Sequence, residues 1–302
     1  MELKKVAAID IGSNSVRLLI VNAVENGANT LFKKSALIRV PVRLGATAFS
    51  DHKIPKKSVD RLVDAMIGFK HIMRANEVLH YKGCATSAMR EAKNGGEIVK
   101  RIKEEAGIDI GIISGNSEAT MIFNSQHAQA GNLSNNCLFV DVGGGSTEIT
   151  IFVNHQPIAA SSFNIGTIRI LQNQVTKDDW KGMKAWLKKE LKNVHNFSVI
   201  GSGGNINRIS KIAQLKPDKA MSYDLLNDIV THIKSFSMDD RVKVLDLNPD
   251  RADVIIPAGE IFLTLMRWTE AKKLFVPKIG LGDGIVREVY EEYKKGMRSL
   301  LN

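Results

Sequence analysis

An acidic residue at the end of an apolar strand, three glycines, two hydroxyls and a second acid stand together in Asp141-Val-Gly-Gly-Gly-Ser-Thr-Glu148. That set suits a polyphosphate chain and its metal. Glycine lets backbone N–H groups approach phosphate oxygens because no Cβ intervenes. Gly143, Gly144 and Gly145 would present such donors, with the hydroxyls of Ser146 and Thr147 beside them. Asp141 and Glu148 could hold Mg²⁺ directly or through water. An ordinary β-hairpin turn would give the same string. Leu138 to Val142 reads as a short buried strand, and a second strand leaves with β-branched residues at alternate positions.

The layout occurs twice. Ala8-Ile-Asp-Ile-Gly-Ser-Asn-Ser15 precedes it by 131 residues, pairing Asp10 with Asp141, Gly12 with Gly143, Ser15 with Ser146 and Ile20 with Ile151. Two strand–loop–strand units suggest two related halves facing one another across a phosphate site. Gly12, Ser13, Asn14 and Ser15 then form the first phosphate loop, and Asp10 is a further metal candidate. Arg17 either grips a phosphate or braces the loop.

Two other junctions carry anion-binding residue types. Thr86, Ser87 and Arg90 follow a strand directly, although loop and cap residues give the same string with no ligand. Gly203 and Gly204 lie between a strand and a helix, where backbone donors suit a distal phosphate. Glu118 stands in a first helical turn, with Asn116 or Ser117 as the N-cap. The helix dipole alone favours an acid there; the chemical alternative is a general base that polarises water for in-line attack on phosphorus.

The elements that must position these groups are legible as a strand–helix alternation. Strands are expected at Lys5 to Asp10, Ser15 to Val24 and Thr30 to Val40, with Glu25-Asn-Gly27 as a hairpin turn. Arg39 to Asp51 reads as a mobile connection. A helix is expected from about Ser58 to Ala75 with Val59, Leu62, Val63, Met66, Phe69 and Met73 on its apolar face. Strands at Val78 to Cys84 and Asp109 to Ser114 follow, then a helix to about Ala130. In the second half, Thr176-Lys-Asp-Asp179 reads as a capping box. Leu274 to Lys278 reads as a strand, Gly280 to Gly284 as a turn, and Ile285 to about Met297 as the last helix. The lysines at 181, 184, 188, 189 and 192 share a face, solvated or guiding a polyanion.

At 302 residues, 44% hydrophobic and 25% charged, the chain has an ordinary globular composition and room for two domains. Its formal charge of +10 favours a polyanionic partner. Nucleic acid is the weaker choice, since only 6% of residues are aromatic and no stacking motif lies among the basic residues. Cys84 and Cys137 read as reduced core residues of a cytoplasmic protein, without disulfide or zinc spacing. No signal peptide and no membrane span is expected.

The ordered motifs resemble one family. Asp10-Ile-Gly-Ser-Asn-Ser15 with Arg17, Ala85-Thr-Ser-Ala88 with Arg90 and Asn94, and Ile113-Ser-Gly115 with Glu118-Ala119 are similar to motifs of the exopolyphosphatase / guanosine pentaphosphate phosphohydrolase (Ppx/GppA) family. So are Asp141 to Glu148, Gly201 to Gly204, Arg251-Ala-Asp253, and Gly280-Leu281 with Asp283-Gly284. The resemblance implies an α/β fold of two actin-like, ribonuclease H-like domains with a cleft between them. Residues 1–124 plus a C-terminal helix at about 286–302 would form the first, and 125–285 the second. It implies Mg²⁺-dependent release of terminal phosphate from inorganic polyphosphate or pppGpp, with Glu118 as the base, Arg90 on phosphate, and Asp141 and Glu148 next to phosphate and metal. A homodimer is compatible with it. Ser117 and Gly282 depart from residues common in the family, and long members add a helical region beyond this core, so short polyphosphates and pppGpp are the expected substrates. The alternatives are a polyphosphate- or nucleotide-binding regulator that has lost turnover, and a small-molecule kinase of the same superfamily.

Overall fold

The computed structural model describes residues 4–26, 29–127, 135–192, 194–216, 219–277 and 280–300. Two compact units divide the chain, Met1–Ser125 with Leu281–Asn302, and Gln126–Gly280. Gly27 of the expected hairpin turn, residues 128–130 of the helix after Ser114, and Lys278 lie outside the described residues.

In unit 1 the chain runs β1 (Lys4–Ile11), β2 (Val16–Asn26), β3 (Asn29–Val40), α1 (Gly45–Ala48), α2 (Lys56–Ala75), β4 (His80–Ala85), α3 (Ser87–Glu91), α4 (Gly95–Ala106), β5 (Gly111–Ile112) and α5 (Gly115–His127). Its sheet has the order β3-β2-β1-β4-β5, with β1–β3 antiparallel and β4 and β5 parallel to β1. Strand β1 is central and buried from Val6 onward, which is why its apolar residues run continuously instead of alternating. Helix α2 buries Val59, Leu62, Val63, Met66, Phe69 and Met73, the stripe that the 3.6-residue spacing predicts.

Unit 2 continues with β6 (Cys137–Val142), β7 (Thr147–Val153), β8 (Gln156–Phe163), α6 (Thr167–Leu171), α7 (Lys177–Glu190), β9 (Ser198–Ser202), α8 (Gly204–Ile212), α9 (Tyr223–Lys234), α10 (Met238–Lys243), α11 (Pro249–Ala252), α12 (Ile255–Thr269) and β10 (Leu274–Phe275). Thr176 caps α7: its Oγ1 accepts from Asp179 N–H at 3.2 Å, and its own N–H donates to the Asp179 carboxylate at 2.7 Å. This is the capping box the sequence predicts. The sheet order β8-β7-β6-β9-β10 repeats that of unit 1 strand for strand. Leu138, Val140, Ile149 and Ile151 of this sheet and Ile255, Ile261, Phe262 and Leu265 of α12 meet in one core. Each such side chain stabilises by roughly 1.5–3 kcal/mol.

Finally α13 (Leu281–Leu300) packs on β1, β2 and β4 within unit 1. It starts at Leu281, so the expected Gly280–Gly284 turn is replaced by helix; Asp283 in its first turn pairs with Lys34 at 2.8 Å. Tyr290, fully buried, donates to Glu25 Oε1 at 2.8 Å and meets the Phe32 ring edge-on. A buried tyrosine hydroxyl needs such an acceptor. Burial and the Glu25 carboxylate push the Tyr290 phenol up to about 12.

Both thiols are buried, and desolvation pushes each up to about 12. Almost no thiolate is then present at pH 8. The native protein should leave both cysteines unmodified by an aromatic disulfide reagent at that pH, and two thiols should react after denaturation.

Candidate active site

The two loops share one geometry. In unit 1 Asp10 lies opposite Arg17, and Gly12 N–H donates to Ser15 O at 3.2 Å. In unit 2 Asp141 lies opposite Glu148, and Gly143 N–H donates to Ser146 O at 2.9 Å. The 131-residue repeat therefore holds as far as the turn hydrogen bond.

What surrounds each loop fixes where its donors point. In unit 2, α6 comes up beneath the loop. Thr167 N–H donates to Gly143 O at 3.1 Å and Ile168 N–H to Gly144 O at 2.8 Å. The buried Arg169 donates through Nε to Gly145 O at 2.7 Å. Three consecutive carbonyls thus face α6. In a trans peptide the following N–H points opposite to the carbonyl, so the N–H groups of Gly144, Gly145 and Ser146 are turned away from α6. Successive donors on one side make the kind of concavity that suits an anion. Gly166 makes this possible, because a Cβ there would lie 2.4 Å from Gly144 O.

Unit 1 uses a smaller version of the device. Gly45 N–H donates to Ser13 O at 2.8 Å and Arg43 N–H to Asn14 O at 3.0 Å. By the same reasoning the N–H groups of Asn14 and Ser15 turn outward. The segment expected to be a mobile connection is therefore anchored, and part of it is the short helix α1. Ser13 Oγ is hydrogen-bonded to Ser87 Oγ at 2.8 Å, and Thr86 N–H donates to Ile11 O at 3.1 Å. These bonds tie the loop to the end of β4. Ser15 Oγ is buried and has no hydrogen-bond partner among the described residues.

Several predicted side chains make contacts that support the loops or their neighbours. Thr147 is fully buried and donates to Ile165 O at 2.5 Å, so its hydroxyl braces the loop instead of facing a phosphate. Arg17 reaches Asp10 at 3.4 Å, a contact that braces the loop. Burial raises the Asp10 carboxyl above its ordinary value, and Arg17 partly offsets this. Arg90 donates through Nη1 to Ile113 O at 2.8 Å, at the approach to α5. Asn94 accepts from Ile54 N–H and donates to Ile54 O, anchoring the chain before α2.

The cap of α5 differs from the expected one. The helix begins at Gly115, and Ser114 Oγ accepts from Ser117 N–H at 3.1 Å, making Ser114 the N-cap in place of Asn116 or Ser117. Ser114 Oγ is also hydrogen-bonded to Ser117 Oγ at 2.8 Å. Glu118 remains in the first turn and is only 8% exposed.

On the other loop, Asp141 and Glu148 are directly paired across β6 and β7, so their side chains leave the same face. Like charges so placed are destabilising unless a cation lies between them. Glu148 accepts from Ser162 Oγ at 2.7 Å. In unit 1 the equivalent pair is Asp10 with Arg17, and the counter-cation is built in. A hard divalent cation such as Mg²⁺ takes one or two carboxylates and completes its shell with water and substrate phosphate. The donor set of Asp141 and Glu148 fits that demand. Among the described residues no group of three or more His, Cys, Asp or Glu could form a closed metal cage. Beside Asp141, Gly203 has φ of 112°, and a Cβ there would meet Val142 O at 3.0 Å. Only glycine fits this turn, which leads to Gly204 at the start of α8.

Sequence reasoning assigned no role in the site to Gly45, Ser162, Gly166 or Arg169. A signal was present. Both halves place an apolar–Gly–small triplet after the third strand, Leu44-Gly-Ala46 and Ile165-Gly-Thr167.

Duplicated strand–loop–strand units with outward-facing amides, each on a sheet of the same order, define a two-unit α/β protein of the actin-like class that handles phosphate. The chain belongs to the Ppx/GppA phosphatase family, which matches residues 19–292. Exopolyphosphatase 1 of Mycobacterium leprae is 23% identical over 93% of this chain and 88% of its own length. The guanosine-5'-triphosphate,3'-diphosphate pyrophosphatase of Vibrio vulnificus is 24% identical over 96% of this chain and 60% of its own length. The crystal structure of the Aquifex aeolicus family member superposes with a TM-score of 0.75 at 25% identity, covering 96% of this chain and 99% of that one. No helix among the described residues is long and apolar enough to cross a membrane.

Proposed function

We propose that the protein hydrolyses the terminal phosphoanhydride of inorganic polyphosphate or of pppGpp and releases orthophosphate. The observation that carries this reading is the glycine loop of unit 2, whose carbonyls are occupied by α6 and whose three N–H groups are turned outward. Such donors hold a phosphoryl group and offset the charge that spreads over its oxygens in the transition state. The N–H groups of Asn14 and Ser15 in unit 1, and those of Gly203 and Gly204 at the start of α8 in unit 2, are donors of the same kind for further phosphates.

Glu118 orients the attacking water and accepts its proton. Arg90 is the phosphate-binding arginine, held in place by its bond to Ile113 O. Asp141 and Glu148 would hold Mg²⁺, which would supply neutralisation of the phosphate charge. Buried, unpaired thiols fit a reducing compartment such as the cytoplasm.

Phosphate release from tripolyphosphate, long-chain polyphosphate and pppGpp, measured in parallel with and without Mg²⁺, tests the reading and ranks the substrates. Release should stop on chelation and return with Mg²⁺. Asp141→Asn should raise the Mg²⁺ concentration required for half-maximal rate. Intact binding of all three substrates with no release would leave a sensor built on this fold.

A further inference from the structure

Unit 2 carries a groove of about 560 Å³ to which none of the phosphate-loop residues contribute. Thr264 and Arg267 of α12 line it from one stripe, Tyr223 and Asn227 of α9 from another, and Trp180 and Ile170 close it. The volume is that of a site for a small organic molecule.

The wall chemistry narrows the ligand. Trp180 stands edge-on to Trp268 with ring centroids 5.9 Å apart, which holds the indole in place. Glu260 also lies on the wall, but Lys234 at 2.7 Å offsets its charge. Arg267 is exposed and has no ion pair among the described residues. Two aromatic rings, two amides, the hydroxyls of Tyr223 and Thr264 and one uncompensated guanidinium suit a planar ring that carries an anionic group. An inorganic polyanion would leave the aromatic walls unmatched, and an uncharged ring would leave Arg267 unused.

We propose that this groove binds a nucleotide, its base against Trp180 and Tyr223 and its phosphate at Arg267. Ile170 gives the site a link to the phosphate loop, since it follows Thr167, Ile168 and Arg169, the three residues that hold the loop carbonyls. The proposal does not rest on the reaction proposed for the loop.

Calorimetry with GMP and AMP tests the proposal. At least one should bind saturably to the wild-type protein and to Glu118→Gln alike, and excess tripolyphosphate should not displace it. Arg267→Glu should weaken binding about tenfold or more, the scale of losing one charge-assisted contact. Asn227→Trp, which fills the groove from an exposed position, should abolish it. Absence of saturable binding by either nucleotide overturns the proposal. So does binding that survives both substitutions, or that tripolyphosphate displaces, because the nucleotide then sits in the phosphate loops.

Discussion

Gly166→Ala should lower kcat/KM for phosphate release by about 10²-fold, the scale of a misplacement of about 1 Å at a reacting centre. The added methyl group would lie 2.4 Å from both Gly144 O and Gly145 C, neither of which can move aside as a flexible side chain would. Either α6 retreats, and Thr167 and Ile168 lose their bonds to Gly143 O and Gly144 O, or the loop shifts with it. Both outcomes turn the outward N–H groups of Gly144, Gly145 and Ser146 from their positions. The overpacking itself should cost about 1–3 kcal/mol, read as a lower midpoint in urea. Steady-state kinetics beside the unfolding curve separates the two effects. A variant destabilised but fully active would show that the loop geometry is not what the reaction needs.

Glu118→Gln should cut kcat by about 10²-fold or more while the protein stays folded, since general-base catalysis supplies 10²–10⁴-fold. Glutamine keeps the size of the side chain and removes its charge. The helix-dipole contribution lost from the first turn of α5 is about 0.3–1 kcal/mol, too small to unfold the chain. KM should change little, because no phosphate contact is assigned to Glu118. The combination of low kcat, near-normal KM and an unchanged melting transition distinguishes a base from a capping residue. Loss of stability with activity per folded molecule preserved would assign Glu118 to the helix alone.

The parts of the site legible in the sequence are those fixed by local spacing. Asp141 to Glu148 and its copy at Asp10 to Arg17 are hairpins whose register follows from two residues per pleat and four loop residues, so their backbone could be read directly. The α2 stripe and the Thr176 capping box are likewise short-range patterns. What escaped depends on distant contacts. Arg169 is written 24 residues after Gly145, and nothing in its neighbourhood says that its guanidinium seeks that carbonyl. Thr147 reads as a phosphate ligand by type, yet its hydroxyl donates to Ile165 O, 18 residues away. Ser114 reads as the last residue of a strand, yet its hydroxyl accepts from Ser117 N–H in the first turn of the helix. The opposition of Arg17 to Asp10 follows from that register, but the 3.4 Å contact between their side chains does not.

Hydrolysis of tripolyphosphate in ¹⁸O-labelled water with Mg²⁺ is the most direct test of terminal attack by water. The orthophosphate released should carry one label per turnover, and the pyrophosphate left behind should carry none. Label in the pyrophosphate, or no orthophosphate at all under conditions where tripolyphosphate binds, would contradict it.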